Sequence, residues 1–255
     1  MTPDEPEILA EYDRREDAAV TVAVSLHNYR DYILPCLDSA KAQTVEDLDL
    51  IVVDDCSCDG GGQVVTSWLC ECHRRFGRCS LVRHVERQGL APARNTAFTF
   101  ARTPYVFVLD ADNLLYPRCL ERLIAGLEAS GASFAYCYLE AFGTVSGLVN
   151  THWWNPTELS KGNTIDAMVL LRRRVWSEGG GYSCDMPVRG WEDFDLWFKI
   201  ARAKGWGVQV PEILARYRVH STSMLRTITN PSADSLWTHL RSKYPEFFPV
   251  GVRPA

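Results

Sequence analysis

The chain has 255 residues, a formal net charge of −5 and 23% charged residues, which excludes both the basic field of a nucleic-acid-binding protein and the composition of a disordered one. Its length and 46% hydrophobic content suffice for a sizeable core. No apolar run approaches the roughly 18 residues that span a bilayer, so no transmembrane segment is predicted. The acidic first 17 residues lack the apolar centre of a signal peptide.

The first half of the sequence alternates apolar runs with helical patterns. Mostly apolar runs predict strands at 20–26, 48–53, 80–84, 105–109 and 133–139, and the first of them is uncharged and rich in β-branched residues. Apolar residues at helical spacing predict helices at 31–43, about 62–75, 90–101 and 116–130. Helices of this length between strands are typical of an α/β fold with a doubly wound, mostly parallel sheet flanked by helices.

The second half, from about residue 140, is smaller and less regular. Its patterns predict a loop at 152–156, a strand or short helix within 164–172, a helix at 192–204, strands at 207–210 and 213–219, and a terminal helix at 232–244. Nothing marks a domain boundary, so we expect one domain over 1–255. Residues 1–18 are predicted to be a flexible lead-in.

Nine cysteines are an odd number, which argues against a complete disulfide framework. A local cluster raises the question of structural zinc, and consists of Cys56, Cys58, Cys70, Cys72, His73 and Cys79. Both of its cysteine pairs are Cys-x-Cys, whereas zinc sites typically use Cys-x-x-Cys. Reduced thiols are the better interpretation, and they predict a cytoplasmic protein, either free or peripheral at a membrane.

Carboxylates follow two of the predicted strands. The chain has three Asp-x-Asp patterns, but only Asp110 and Asp112 directly follow a buried strand. Asp54 and Asp55 follow another, and in a parallel sheet both pairs reach the carboxyl edge, where such folds bind ligands. Carboxylates packed together need a cation or hydrogen-bond donors. A nucleoside diphosphate carrying a divalent metal supplies both.

Six short motifs together give the chain a specific likeness. From about Val20 to Ser223 it resembles the family-2 inverting glycosyltransferases of GT-A fold. The motifs are Val24-Ser25-Leu26-His27-Asn28-Tyr29, Val52-Val53-Asp54-Asp55-Cys56-Ser57, Gly89-Leu90-Ala91-Pro92-Ala93-Arg94-Asn95, Leu109-Asp110-Ala111-Asp112, Gly190-Trp191-Glu192-Asp193-Phe194-Asp195-Leu196 and Tyr217-Arg218-Val219-His220. The resemblance implies transfer of a sugar from a nucleoside diphosphate to an acceptor hydroxyl, with inversion and with Mg²⁺ or Mn²⁺.

The resemblance also implies a nucleotide site in residues 19–139. Asp55 matches the carboxylate that accepts the N3–H of uracil. Ser25 and His27 match positions that line the base and ribose, although His27 replaces the tyrosine or proline often found there. Asp110 is expected to contact the ribose or a metal-bound water. Arg94 suits a diphosphate or Asp110, because its guanidinium forks onto oxyanions, but a structural ion pair is an equal alternative.

The metal ligands implied by the resemblance are Asp112 and His220. An imidazole ligand favours Mn²⁺ somewhat over Mg²⁺, which prefers oxygen. A lone histidine after a strand is more often structural than a metal ligand. Only the motif around His220 favours the metal interpretation over the structural one.

Catalysis is assigned to residues 140–229, ahead of a C-terminal helix and tail at 230–255. Asp193 is the predicted general base, since inverting transfer needs one carboxylate to take the acceptor proton. Glu192 is expected to assist acceptor binding, while Trp191 and Asn163 are candidate contacts to the acceptor or to the donor sugar. The simpler alternative is that these carboxylates only favour a helix N-terminus.

Two other functions compete with the predicted UDP-sugar transferase. A sugar-phosphate nucleotidyltransferase would carry a glycine-rich loop after its first strand, and the sequence there is Ser25-Leu26-His27-Asn28. A catalytically weak binding or scaffolding module should have lost the base or a metal carboxylate, and both are present. The sequence leaves the acceptor open among a glycan, a lipid-linked sugar, a protein and a small molecule.

Overall fold

The computed structural model describes residues 5–14, 17–221 and 223–248. Within them, ten strands share one sheet: β1 (Glu7–Asp13), β2 (Val20–Leu26), β3 (Leu48–Asp54), β4 (Arg78–Arg83), β5 (Tyr105–Asp110), β6 (Leu114–Leu115), β7 (Phe134–Gly143), β8 (Gly147–Val149), β9 (Leu170–Arg172) and β10 (Gly207–Val219). The same residues contain seven α-helices: α1 (Arg30–Lys41), α2 (Gly61–Cys72), α3 (Leu90–Phe100), α4 (Cys119–Ser130), α5 (Arg173–Glu178), α6 (Glu192–Arg202) and α7 (Ala233–Lys243).

The strand order is β1-β4-β3-β2-β5-β9-β7-β10-β6, with β8 paired to β7. Strands β4, β3, β2 and β5 are parallel, as are β7 and β10. The short strand β9 runs antiparallel between β5 and β7 and joins the two parallel parts. The predicted α/β fold with a mostly parallel, helix-flanked sheet is therefore confirmed.

Two hydrophobic cores lie on opposite faces of the sheet. Val22 and Val24 of β2 pack into one core, which includes α1 and α2, whereas Ala23 belongs to the other, which includes α3 and α6. This split follows from the alternation of side chains along a strand. Because both faces are covered, the central strands carry the continuous apolar runs seen in the sequence.

The predicted flexible lead-in is wrong for Glu7–Asp13. These residues form edge strand β1, which pairs antiparallel with β4. Glu11 accepts a hydrogen bond from Arg78 Nη2 at 2.6 Å, which helps to hold the edge in place. Charged residues are common on edge strands because they discourage pairing with other chains, and here the acidic residues of β1 hid the strand from pattern recognition. Residues 1–4, 15 and 16 lie outside the described part.

Three other sequence predictions need adjustment. The two strands predicted at 207–210 and 213–219 are one strand, β10, with register shifts near Pro211, which has no N–H for the ladder. The helix predicted from 116 begins at Cys119, after the two-residue strand β6. Within 164–172 only the last three residues form a strand, and α5 follows it at once.

All nine cysteines are free thiols. In the described ranges, no helix combines the length and the apolar character needed to cross a bilayer.

Candidate active site

The carboxyl ends of the central parallel strands bring the predicted residues to one edge of the sheet. Ser25 at the end of β2 lies opposite Asp110 at the end of β5, and Leu26 lies opposite Asp54 at the end of β3. Strand β5 ends at Asp110, where a turn begins with the Asn113 N–H bonded to the Asp110 carbonyl at 3.0 Å. Asp112 therefore lies in a turn and not in a continued strand.

Two adjoining cavities open at this edge. The strand-edge pocket, of about 300 Å³, has among its lining residues Ser25, His27, Asp55, Asp110 and Asp112. The acidic cavity, of about 620 Å³, has among its lining residues Asp110, Asn163, Asp166, Glu192 and Asp193. The two share four lining residues, which form the boundary between them: Leu90, Asp110, Tyr217 and Met224.

Asp55 is held on several sides at the base of the strand-edge pocket. Its Oδ1 accepts from the Gln88 N–H and from His84 Nδ1, and its Oδ2 from the Gly89 N–H, each at 2.8 Å. Burial raises the pKa of this carboxyl, but the hydrogen bonds from His84 and the two amides outweigh burial, so the pKa lies below its ordinary value. Asp55 is therefore a fixed, ionised acceptor.

The backbone around Asp55 shapes the mouth of the pocket. Gly89 has a φ of +107°, a conformation that favours glycine, and this lets its N–H point at Asp55 while α3 starts at the next residue. The N-terminus of α3 thus reaches the pocket through Gly89 and Leu90, and helix N-termini favour anions. His27 also lies here, with Nδ1 2.7 Å from the Asp55 carbonyl oxygen.

Arg94 of α3 is buried, with 3% of its side chain exposed, and pairs with two carboxylates. Nη1 donates to Glu192 Oε1 at 2.7 Å and Nη2 to Asp110 Oδ1 at 2.9 Å. Burial disfavours its charge, but the two carboxylates more than compensate and raise the pKa of the guanidinium. Of the roles expected for Arg94, the structure shows the pairing with Asp110. Arg94 lines the acidic cavity and is absent from the lining of the strand-edge pocket.

Asp112, which lines the strand-edge pocket, is in direct contact with His220. Asp112 Oδ2 lies 3.1 Å from His220 Nε2, and both side chains are largely buried. Burial and the neighbouring Asp110 raise the pKa of Asp112 to about 6, although His220 lowers it in part. In the described part of the chain, no group of three or more His, Cys, Asp or Glu side chains is arranged to hold a metal ion.

Glu192 and Asp193 occupy the first turn of α6, on the wall of the acidic cavity. Trp191 precedes them in a left-handed conformation, with φ 60°, and packs against Trp237. Burial raises the pKa of Glu192 to about 7, with Arg94 opposing. Burial likewise raises the pKa of Asp193, against the lowering effects of Arg94 and of Asn163, whose Nδ2 donates to Asp193 Oδ2 at 2.9 Å. A helix N-terminus favours carboxylates, but burial dominates here.

Several lining residues were missed by the sequence analysis. Arg87, Arg189 and Arg218 line the strand-edge pocket and supply positive charge opposite its carboxylates. Only Arg218 had a signal, since it belongs to the Tyr217-Arg218-Val219-His220 motif. Asp166 lines the acidic cavity, and nothing in the irregular stretch around it marked it in advance.

Known proteins share both the sequence pattern and the fold. The family described as glycosyl transferase family 2 matches residues 21–183. The Escherichia coli UDP-Glc:alpha-D-GlcNAc-diphosphoundecaprenol beta-1,3-glucosyltransferase WfaP is 25% identical over 214 residues, which cover 80% of this chain and 79% of that protein.

Two solved structures show the same GT-A fold. S. aureus TarS 1–349 in complex with UDP has a TM-score of 0.65 at 17% identity, over 80% of this chain and 61% of that one. Mannosyltransferase PcManGT from Pyrobaculum calidifontis, in complex with GDP-Man and Mn²⁺, has a TM-score of 0.64 at 23% identity, over 82% of this chain and 60% of that one. The chain therefore spans about three fifths of these two.

Proposed function

The chain belongs to glycosyl transferase family 2, and we propose that it transfers a sugar from a UDP-sugar to an acceptor hydroxyl with inversion at the anomeric carbon. The observation that carries this proposal is the pair of adjoining cavities that share Asp110. The strand-edge pocket has arginines and a fixed carboxylate that can accept a hydrogen bond, as a nucleotide requires. The other has Asp193, a carboxylate with a raised pKa, as a general base requires.

The strand-edge pocket binds the nucleotide in this proposal. Asp55 accepts the N3–H of uracil, because its carboxylate is ionised and held in place by His84 and two amides. Ser25 and His27 lie beside the base and ribose. The diphosphate lies near the N-terminus of α3 and the lining residues Arg87 and Arg189, since both the helix terminus and the guanidinium groups favour anions.

A divalent ion, Mn²⁺ or Mg²⁺, fits the donor set of Asp112, which lines the same pocket, and its neighbour His220. Asp112 and His220 offer one oxygen and one nitrogen 3.1 Å apart, a spacing compatible with neighbouring ligands of one ion. With only these two protein ligands, the ion would need further oxygen ligands from the diphosphate and from water, as is common for such ions at nucleotides. When bound, the ion neutralises the charge that develops on the leaving diphosphate.

Asp193 acts on the acceptor in the adjoining cavity. Its raised pKa makes it a stronger base than an exposed aspartate. Asn163 donates a hydrogen bond to one carboxylate oxygen, which leaves the other oxygen to take the proton of the acceptor hydroxyl. Glu192 is held by Arg94 and orients the first turn of α6. Trp191 lines the same cavity and offers a ring face to a sugar.

The names of the compared proteins support the donor class. TarS was solved with UDP and PcManGT with GDP-Man and Mn²⁺, while WfaP is named for a UDP-glucose donor. The acceptor hydroxyl belongs to a glycan, a lipid-linked sugar, a protein or a small molecule. We keep the cytoplasmic location as a proposal from the sequence.

Calorimetric titration of UDP, with and without Mn²⁺, tests the proposed function. Wild-type protein should bind UDP more tightly with Mn²⁺, and Asp112→Asn should lose that enhancement. Glu121→Gln, which removes an exposed carboxylate outside both cavities, serves as the control. Absence of UDP binding under both conditions would overturn the assignment of the strand-edge pocket.

A further inference from the structure

Asp166 differs from the other carboxylates of the acidic cavity in its partners. Asp110 and Glu192 are paired with Arg94, and Asp193 accepts from Asn163. Within the described ranges, the side chain of Asp166 accepts one hydrogen bond, from the Met168 N–H to Oδ1 at 2.9 Å, and has no cationic partner. Among these four carboxylates, Asp166 is therefore the one whose side chain pairs with no other side chain in the described part of the protein.

The position of Asp166 is near the boundary of the two cavities. The charge of Asp110, a boundary residue, contributes most among the neighbouring charges to raising the pKa of Asp166, after burial. Asp166 in turn is the main charged neighbour that raises the pKa of Tyr217, another boundary residue. A sugar attached to a diphosphate in the strand-edge pocket must pass this boundary to approach Asp193.

A second observation beside Asp166 indicates a ligand in the same place. Asn150 lines the acidic cavity, is 6% exposed, and accepts from the Asp166 N–H at 2.6 Å through Oδ1. Its Nδ2 is buried and has no hydrogen-bond partner in the described part of the chain. An unpaired buried donor is costly unless a ligand or water completes it. Asn150 thus places a buried, unsatisfied donor beside Asp166, whose Oδ2 accepts no hydrogen bond in the described part of the chain.

We propose that Asp166 contacts the sugar of the donor and selects donors with an uncharged sugar over donors whose sugar carries a carboxylate. The inference rests on the proposed function, because it takes the donor to lie across both cavities. A neutral sugar presents hydroxyl groups that donate to the carboxylate of Asp166. A uronate would instead place a further negative charge beside Asp166, Asp110 and Asp193, and like charges at short range are strongly unfavourable.

The test compares two donors that differ only at C6. Affinities for UDP, UDP-glucose and UDP-glucuronate are measured by calorimetry with Mn²⁺, for wild type and Asp166→Asn. The pair UDP-galactose and UDP-galacturonate repeats the comparison for the other common configuration at C4. Asparagine keeps the Oδ1 acceptor for the Met168 N–H, removes the charge and replaces the other oxygen with an amide NH2. Glu158→Gln is the matched control, because it removes an exposed charge from the same irregular stretch outside both cavities.

Wild type should prefer the neutral sugar of at least one pair by about tenfold or more, and Asp166→Asn should remove most of that preference. Binding of UDP itself should be unchanged in Asp166→Asn, and Glu158→Gln should behave as wild type.

If UDP binds but wild type does not discriminate between the neutral and the uronate donor, or Asp166→Asn discriminates equally, the inference is wrong while the proposed function stands. If UDP does not bind, both fail. Should Asp166→Asn not fold, Asp166→Ser replaces it.

Discussion

Arg94 and Glu192 lie 2.7 Å apart, Nη1 to Oε1, although 98 positions separate them in the sequence. Arg94 belongs to α3, beside the nucleotide half, and Glu192 opens α6, which carries the proposed base. Because the same guanidinium also bonds Asp110 at the end of β5, one side chain ties the two cavities together. The ion pair therefore sets the position of α6 relative to the sheet edge.

Replacing Arg94 with alanine should destabilise the protein by about 3–5 kcal/mol, because it leaves the buried Glu192 and the partly buried Asp110 without their cation. Arg94→Lys keeps the charge but cannot reach both carboxylates with a planar fork, so it should be intermediate. Urea denaturation of the three proteins at neutral pH measures the differences.

Arg118→Ala is the control for this series. Its ion pair with Glu121 is exposed on both sides, so removal should change the free energy of unfolding by less than about 1 kcal/mol. Equal losses for Arg94→Ala and Arg118→Ala would contradict the role given to the buried pair.

Asp166 should make stability depend on pH in a specific direction. Burial and the charge of Asp110 raise its folded pKa to about 7, whereas an unfolded aspartate titrates near about 3.9. The folded state thus binds this proton more tightly, and Asp166 lowers stability as pH rises from about 4 to about 7. Asp166→Asn lacks this proton, so its stability relative to wild type should increase across that range and level off above it.

Urea denaturation at steps from about pH 5 to about pH 7.5, without metal, measures this trend. Asp185→Asn is the control, because Lys243 outweighs burial and lowers the pKa of Asp185, so its titration lies below the tested range. A difference between Asp166→Asn and wild type that stays constant across the range would show that Asp166 titrates normally.

The sequence predicted those parts of the fold that are both apolar and regular. Strands β2, β3 and β5 are buried on two faces, so their runs stood out, and their carboxyl ends brought Asp55, Asp110 and Asp112 to one pocket. Strand β1 escaped because an edge strand exposes one side and here carries three carboxylates among seven residues. Strand β9 was predicted only as a strand or short helix somewhere within 164–172, because three residues carry no periodicity that separates the two.

The acidic cavity was harder to predict than the strand-edge pocket. Glu192 and Asp193 were found through a motif, but Asn150 and Asp166 lie in an irregular stretch where tertiary contacts alone bring them together. The partner of Arg94 was also open from sequence, since a guanidinium suits a diphosphate and a carboxylate equally. Only the three-dimensional arrangement shows that its two terminal nitrogens, Nη1 and Nη2, already donate to Glu192 and Asp110.

His84 should control the affinity for UDP through Asp55. Its ring is 1% exposed, with Nδ1 2.8 Å from Asp55 Oδ1 and Nε2 2.9 Å from the Thr96 hydroxyl. His84→Leu removes one donor from Asp55, so we expect UDP binding to weaken by about tenfold, with turnover at saturating donor unchanged.

Thr96→Val removes only the hydrogen bond between the Thr96 hydroxyl and His84 Nε2. It should therefore have a smaller effect on UDP affinity than His84→Leu. Circular dichroism verifies that both variants fold. Wild-type affinity in a folded His84→Leu variant would show that the two backbone amides of Gln88 and Gly89 suffice to hold Asp55.

Asp193→Asn should separate catalysis from binding. Asparagine preserves the hydrogen bond from Asn163 Nδ2 to the side-chain oxygen but cannot take a proton, so turnover should fall about 10²- to 10⁴-fold. UDP affinity should stay as in wild type, because Asp193 does not line the strand-edge pocket. Release of UDP from a UDP-sugar, with calorimetry on the same samples, measures both quantities.

Asn163→Ala is the companion variant: it keeps the base but removes the hydrogen bond to its carboxylate, so it should lower turnover by a smaller factor. Wild-type turnover in Asp193→Asn would move the base to another carboxylate of the acidic cavity, with Glu192 and Asp166 the candidates.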